Sequence, residues 1–428
     1  MSAAENINLA RQIREELPAD LIEFIKKAGE TAEKQQQRIY LVGGVVRDLL
    51  LDRSNLDLDI VVEGDAIKLA EKIAGSGEYT VKKHPRFGTA TLKWGKRSAD
   101  LITARSEAYT RPGVLPTVKP GTIIEDLARR DFSINAMAVE LNPRRYGELI
   151  DPFNGRYDLE NNIIRVLHEK SFTDDATRIW RAIRYEQRLD FHIEPNTLLL
   201  LERDIAMLKT ISGDRIRHEL ELVLKEDMPE KVFQRAGELE VLTFIHSSLK
   251  GDEWLAETYA AAREYYAHEG TPKPELYMAL LAYRLTGKET EKLISYLHLP
   301  RAAAQVLRDT QSVKNVIGEL SVQGLAPSAI YNILNNCGTT ALTAVSIGAG
   351  SETAAEHIEL YLNVLKLVNP VLTGEYLQQL GVKRGPKIKE VLSLLREARL
   401  DGKIDSKKGE EDLVREWLKK QYPGRPPA

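Results

Sequence analysis

The run LVGGVVRDLLLDRSNLDLDIVVEG, residues 41–64, constrains the fold more than any other stretch. An apolar strand-like lead enters Gly43-Gly44, a helical segment follows over 45–51, and a second strand pattern covers 56–62. A chain that turns so sharply from strand to helix and back to strand belongs in an α/β layer. At the turn, the missing Cβ atoms let backbone N–H groups come close to an anion.

Alternate residues of a strand share a face, so the second strand predicts that Asp57 and Asp59 project side by side. Two such carboxylates repel unless a divalent cation sits between them, and phosphoryl-transfer sites hold magnesium in this way. The plainer reading of paired acids on a strand is a solvated face. The company of the Gly-Gly turn, and of Leu58 and Ile60 as expected core neighbours, favours a nucleotidyl-transfer site. Asp100, in SADLITAR, is either a further carboxylate of that site or the partner of Arg105.

The remaining chain divides by texture. Short β-type runs at 38–42, 56–62, 79–83, 89–93, 98–102 and 137–141 alternate with helical segments, which predicts an α/β head over 1–150. Past Asp151 apolar residues recur at three- and four-residue spacing, as over 165–189 and 216–224, and the rest reads as all-helical. Pro and Gly cluster near 249–251, 269–274, 324–327 and 369–374, and the divisions expected are 151–245, 246–368 and 369–428. In 428 residues, 60 Lys and Arg against 63 Asp and Glu give a net charge of -3, so any RNA surface must be a local basic patch. One cysteine, Cys337, excludes an internal disulfide and a cysteine-based zinc site and fits a reducing cytoplasm. No stretch is apolar enough to predict a membrane span, and the first residues lack the apolar region of a signal peptide. Nothing in the sequence bears on oligomeric state.

Two further constellations carry chemistry. In LARRDFSINAMAVEL, residues 127–141, Arg129, Arg130 and Asp131 are expected to open a helix-like segment with Asn135 one turn on. Asp131 and Asn135 would then share a face able to grip two ribose hydroxyls, and an adjacent arginine can neutralise a triphosphate oxygen. The bland alternative is an Arg–Asp ion pair capping a helix. In SFTDDATRIWRAIRYEQRLDF, residues 171–191, Asp174, Asp175, Arg178, Arg181 and Arg184 fall at three- and four-residue steps. That is either a ladder of i,i+4 salt bridges or a means of reading a base. A carboxylate accepts from an exocyclic amine and a guanidinium donates to a ring nitrogen, an edge that cytosine and adenine present and uracil and guanine reverse.

In order along the chain, LVGGVVRDLLL…LDLDIVVEG, RRDFSINAMA, DPFNGRYDLENNIIRVLHEKSFTDDATRIWRAIRY and SGDRIRHELELVL resemble motifs of bacterial class II tRNA nucleotidyltransferases, the CCA-adding enzymes and their poly(A) polymerase relatives. The resemblance covers residues 38–225 and continues more weakly through LTGEYLQQLGVKRGPKIKEVL, residues 372–392. It implies an α/β nucleotidyltransferase head with a mixed sheet and helices, followed by all-α neck, body and tail domains. By position, Gly43, Gly44 and Arg47 match the phosphate-handling turn, and Asp57 and Asp59 match the two magnesium carboxylates. Arg130, Asp131 and Asn135 match residues at the nucleotide's sugar and phosphates. Asp175 and Arg178 match the base-selecting template, with Arg181 and Arg184 beyond it as further nucleotide-binding positions. Asp174 stands where the family usually has Glu, at a supporting position. Arg105 matches an arginine coupled to a flexible loop, and Arg215 and Glu219 match a motif that stiffens the neck.

The activity so implied is addition of C, C and A to tRNA from CTP and ATP with Mg2+. Addition of CC alone or A alone would share these motifs. A poly(A) polymerase is disfavoured by the lack of a long basic C-terminal extension, and a silent tRNA-binding protein by retention of both acids and the template pair. The histidines form no His-Asp dyad pattern of an appended phosphohydrolase. Lys383, Arg384 and Lys387, in a glycine-flanked turn before a helix, are candidates for RNA contact; solvated lysines on a tight turn are the plain alternative. Tyr265, Tyr266, Tyr277 and Tyr283 are expected in the core. The proline- and glycine-containing segment between Arg105 and Arg129 suits a hinged lid or a surface loop.

Overall fold

A computed structural model describes residues 7–75, 77–108, 117–268 and 270–422. Residues 109–116 of the expected lid and the terminal PGRPPA lie outside the described residues. The chain groups into two compact units, Met1–Glu219 and Leu220–Ala428. The division between them falls inside the segment expected as a neck; the four-part domain scheme stands as a proposal.

The first unit is built on a mixed sheet. Its strands are β1 (Arg38–Val42), β2 (Leu58–Glu63), β3 (Thr80–His84), β4 (Thr89–Trp94), β5 (Arg97–Thr103), β8 (Ala138–Glu140) and β9 (Leu149–Ile150). They lie in the order β3-β4-β5-β2-β1-β8-β9, while β6 (Arg105–Ala108) and β7 (Thr117–Pro120) form a separate antiparallel ribbon. Within the seven-stranded sheet, β2 and β5 form the one parallel pair among the described residues. Four of the five residues of the near-central β1 are buried, as expected of a strand covered on both faces. Tyr40, Val42, Val61, Ile123, Leu127 and Ala138 form one apolar layer against it.

This topology brings three distant segments to one end of the sheet. Leu41 pairs with Ile60 and Val42 with Ala138, so the turn after β1, the start of β2 and the residues before β8 converge. The strand expected over 56–62 begins at Leu58, so Asp57 stands on the segment leading into the strand and only Asp59 lies on it. Asp57 N–H donates to Asn55 Oδ1 at 3.0 Å, a local turn that takes the place of ladder pairing.

Past Asp151 one small exception breaks the helical texture: β10 (Ile163–Ile164) pairs in parallel with β11 (His192–Ile193). The helix expected over 165–189 is accordingly two, Ser171–Asp174 and Thr177–Leu189. The second unit contains helices and no strand among the described residues. One apolar cluster includes Val313, Leu342, Ile358 and Leu362, and another, toward the C-terminus, includes Leu377, Val391, Leu395 and Val414. Glu410 is fully buried in the latter and accepts from the N–H groups of Val371 and Leu372 and from Arg399. No described helix is long and apolar enough to cross a membrane.

Candidate active site

A cleft of about 1420 Å³ in the first unit is lined by Gly43, Arg47, Asp57, Asp59, Asp131, Asn135, Asp175 and Arg178 among others. The structure thus gathers in one place the candidates of three sequence segments, and Gly44, Arg130, Arg181 and Arg184 line the same cleft.

Gly43 precedes the helix Gly44–Leu50 with φ +73°. A Cβ there would stand 2.9 Å from Arg130 Nη1, so glycine answers both a left-handed backbone and a close guanidinium. Inside that helix Arg47 is buried and forks onto Asp48 at 2.8 and 2.9 Å, while its Nη1 donates to Asn135 Oδ1 at 2.9 Å. Asn135 Nδ2 donates to Asp131 Oδ1 at 3.1 Å, and Asp131 Oδ2 accepts from Arg181 at 2.8 and 2.5 Å. A continuous polar chain therefore joins the helix Gly44–Leu50, the segment before β8 and the helix Thr177–Leu189. Burial alone would push the Asp131 carboxyl up, but the Arg181 charge and the hydrogen bonds from Arg181 and Asn135 hold it down at about 2. Tyr185 anchors the same region: Arg184, Arg47 and Arg181 lie 5.0, 5.3 and 5.6 Å from its ring centre. The ring's negative face offsets some of their mutual repulsion.

Two sequence expectations change here. Arg129 and Arg130 do not open a helix; they follow the helix Ile123–Ala128, with Arg129 as its C-cap. Both pair with the fully buried Asp126, the bland ion-pair reading, at 2.6 and 3.1 Å. After them the chain makes only a 3-10 turn, Ser133–Asn135, because Phe132 and Ile134 are drawn into the core. Asp131 and Asn135 consequently bond each other.

The acids and arginines of the third segment also part company. Asp175 takes an extended conformation between the two helices, so no i,i+4 ladder forms. Its carboxylate accepts from Arg215 Nη2 at 2.8 and 2.7 Å and from Thr177 Oγ1 at 2.7 Å. Arg215, expected to stiffen a neck, thus orients Asp175 directly. Arg178 is buried and donates to Ser171 Oγ and to the Arg129 carbonyl oxygen, each at 2.7 Å. Asp174 lies 4.0 Å from His168, whose pKa is lowered by burial and by Arg178 against the pull of Asp174. Glu219 is buried with Oε2 unbonded; burial raises its pKa and the charges of Arg181 and Arg184 lower it.

Asp59 is paired in register with Asp100 on β5, and Asp100 in turn with Thr91 on β4. Asp100 accepts from Thr91 Oγ1 at 2.6 Å, while Arg105 pairs with Glu107 at 3.0 Å. Of the two readings of Asp100, the structure supports the neighbour of Asp59. Burial pushes the Asp59 carboxyl up, Arg130 pulls it down, and Asp100 and Asp57 push it up again. A cluster so loaded with negative charge suits a divalent cation. No group of three His, Cys, Asp or Glu side chains stands ready for a metal among the described residues, so phosphate oxygens of a nucleotide would have to complete the shell. Magnesium is bound in that manner, by one or two carboxylates plus substrate phosphates, and the residues present fit it.

Residues 39–165 match the family described as Poly A polymerase head domain, and 190–251 match Probable RNA and SrmB-binding site of polymerase A. An A-adding tRNA nucleotidyltransferase of Halalkalibacterium halodurans is 34% identical over 97% of both chains. The chain belongs to the class II tRNA nucleotidyltransferase family. A CCA-adding enzyme of Geobacillus is 27% identical over 91% of this chain and 94% of its own. Among solved structures, a CCA-adding enzyme without ligand matches with TM-score 0.81 and 30% identity, covering 96% of this chain and 99% of that one. The Thermotoga maritima CCA-adding enzyme complexed with tRNA matches at 0.76 and 30%, covering 96% and 98%.

Sequence reasoning missed Asp126, Glu107 and Tyr185, which hold the arginines in place. The three- and four-residue spacing of Asp126 to Arg129 and Arg130, and of Arg181 to Tyr185, was a local signal that could have found two of them, whereas Glu107 meets Arg129 and Tyr185 meets Arg47 only through the fold. In the tail, Lys383 lies over the Tyr422 ring, Lys387 pairs with Glu390, and Arg384 is exposed. Tyr277 and Tyr283 are buried as expected, but Tyr265 is 40% exposed, because it lies on the outer face of the helix Glu253–Tyr265 while Tyr259 takes the inner one.

Proposed function

We propose that this chain adds C, C and A to the 3′ end of tRNA from CTP and ATP, releasing pyrophosphate and using no nucleic-acid template. The observation that carries this reading is the Asp175–Arg178 pair beside the carboxylates. Arg215 and Thr177 orient Asp175 yet leave lone pairs, and Arg178 keeps N–H groups beyond its two anchors. Asp175 would accept from the exocyclic amine of cytosine or adenine while Arg178 donates to the adjacent ring nitrogen. Uracil or guanine would set carbonyl against carboxylate and N–H against guanidinium, leaving buried polar groups unpaired.

In the transfer, the acceptor's 3′-hydroxyl oxygen bonds to the α-phosphorus, the bond to the bridging oxygen of pyrophosphate breaks, and the hydroxyl proton is lost. Magnesium, where bound by Asp57 and Asp59, supplies Lewis-acid activation of the hydroxyl and offsets charge on the reacting phosphate. Arg130, which pairs with Asp126 beside Gly43, would hold phosphate oxygens. The polar chain from Asp48 to Arg181 keeps Asp131 ionised and its geometry set before substrate arrives.

A second reading, addition of A alone, has a specific observation in its favour: the identity to the A-adding relative exceeds that to the CCA-adding one over comparable lengths. Product length separates the two. With CTP and ATP, full synthesis extends a tRNA lacking CCA by three nucleotides, whereas an A-adding enzyme extends only a tRNA already ending in CC. Failure on both acceptors would overturn both readings.

A further inference from the structure

We propose that Phe87, with Arg86 beside it, is a stacking platform for the unpaired 3′ end of the acceptor RNA, a role that rests on the nucleotide-addition reading. Of the eight phenylalanines in the chain, Phe87 is the exposed one among the described residues, at 60%, and it lines the cleft that holds Asp57 and Asp59. The Arg86 guanidinium lies 5.7 Å from its ring centre. An exposed aromatic face joined to a cation is the combination that takes single-stranded nucleic acid, by stacking on any base and attraction to its backbone.

The sheet order gives this platform a side. The proposed nucleotide residues come from the turn after β1 and the segment before β8, to one side of β2. Phe87 precedes β4, two strands away on the other side. Asp59, Asp100 and Thr91 are in register, as are Val61, Ile102 and Thr89, so Ile102 and Thr89 continue the Asp59 face toward Phe87 and line the cleft. Two residues along and two strands across put Thr89 roughly 12 Å from Asp59, and Phe87 stands two residues before it in the chain, at the turn. One of the last two bases of an acceptor could reach it with the terminal hydroxyl at the carboxylates. The carboxylates thus lie between nucleotide side and platform, as transfer between two reactants requires.

Hydrogen bonds tie the turn to itself and to the sheet. Pro85 opens the 3-10 turn Pro85–Phe87, and Gly88 closes it at φ +62°. Gly88 N–H donates to the Pro85 carbonyl at 3.2 Å, and Thr103 N–H donates to the Gly88 carbonyl at 3.1 Å, tying the turn to the end of β5.

The test uses the full chain, wild type and Phe87→Ala, with tRNA ending in CC and carrying the fluorescent base pyrrolo-cytidine at one or other of the last two positions. Wild type should quench one of the two, and Phe87→Ala should abolish the quenching. With ATP, Phe87→Ala should lower kcat/KM for tRNA about tenfold, the order expected for one stacked base. The KM for ATP should change less than twofold, and Phe87→Trp should restore wild-type behaviour. Quenching that survives in Phe87→Ala, or a KM for ATP that rises as much as that for tRNA, overturns the platform. A wild-type protein that extends no tRNA defeats the addition reading, while quenching still decides the platform.

Discussion

Arg181 reaches back fifty residues to fork onto Asp131, with N–O distances of 2.8 and 2.5 Å, and Asp131 is buried. The folded carboxyl, held at about 2 against an ordinary 3.8, contributes stability that is fully present above its unfolded pKa and is lost as pH falls toward 2. The contribution is about 2 kcal/mol. Urea unfolding between pH 5 and pH 2 should show that loss in wild type. Arg181→Met leaves a buried carboxylate without its partner and should cost about 3 kcal/mol at pH 7. Equal stability of the two proteins at pH 7 would remove the pair from the list of stabilising contacts.

Asp59 sits in register with Asp100 and feels the charge of Asp57, so the carboxylates oppose one another without a cation. Asp57→Ala and Asp59→Asn should each reduce nucleotide transfer at least about a thousandfold while tRNA affinity stays within about twofold. Magnesium should raise the Tm of wild type and leave that of Asp59→Asn unmoved. A matching magnesium shift in the variant would deny Asp59 a role as ligand.

Arg215 orients Asp175 from forty residues away, and its side chain is one-third exposed. Arg215→Ala should let Asp175 turn, relaxing selection against UTP by about tenfold or more, while Tm falls only a few degrees. Arg178→Ala should relax selection as well. Competition between ATP and UTP on a tRNA ending in CC reads the outcome, and unchanged selectivity in both variants would refute base reading by this pair.

Gly43→Ala meets two obstacles, a φ of +73° and Arg130 Nη1 at 2.9 Å from the new methyl. The variant should lose about 1–2 kcal/mol and bind ATP more weakly, since Arg130 must move. Thermal unfolding with and without ATP measures both effects. Unchanged nucleotide affinity would place Arg130 away from the phosphates.

Much of the head is legible in the sequence. Short apolar runs located the central strands within a residue or two, since a strand covered on both faces must be apolar along nearly its whole length. Gly43-Gly44 marked the turn because few other residues tolerate that backbone. The elements read less well were the short ones: a 3-10 turn stands where a helix was expected after Arg130, and Asp175 breaks the helix that periodicity drew through it. Local propensity is weak over four or five residues, and there the burial of Phe132, Ile134 and Phe172 decides.

The sequence by itself determined which residue types the site contains, because the motif strings hold both acids, the glycines and the arginines at the right intervals. Only the tertiary structure decided who pairs with whom. Arg181 could have answered its own helix neighbours and instead holds Asp131; Arg215 holds Asp175; Arg129 presents its carbonyl to Arg178. A buried charge seeks whichever opposite charge the packed strands and helices bring within about 3 Å, and that distance is set by the fold rather than by spacing along the chain.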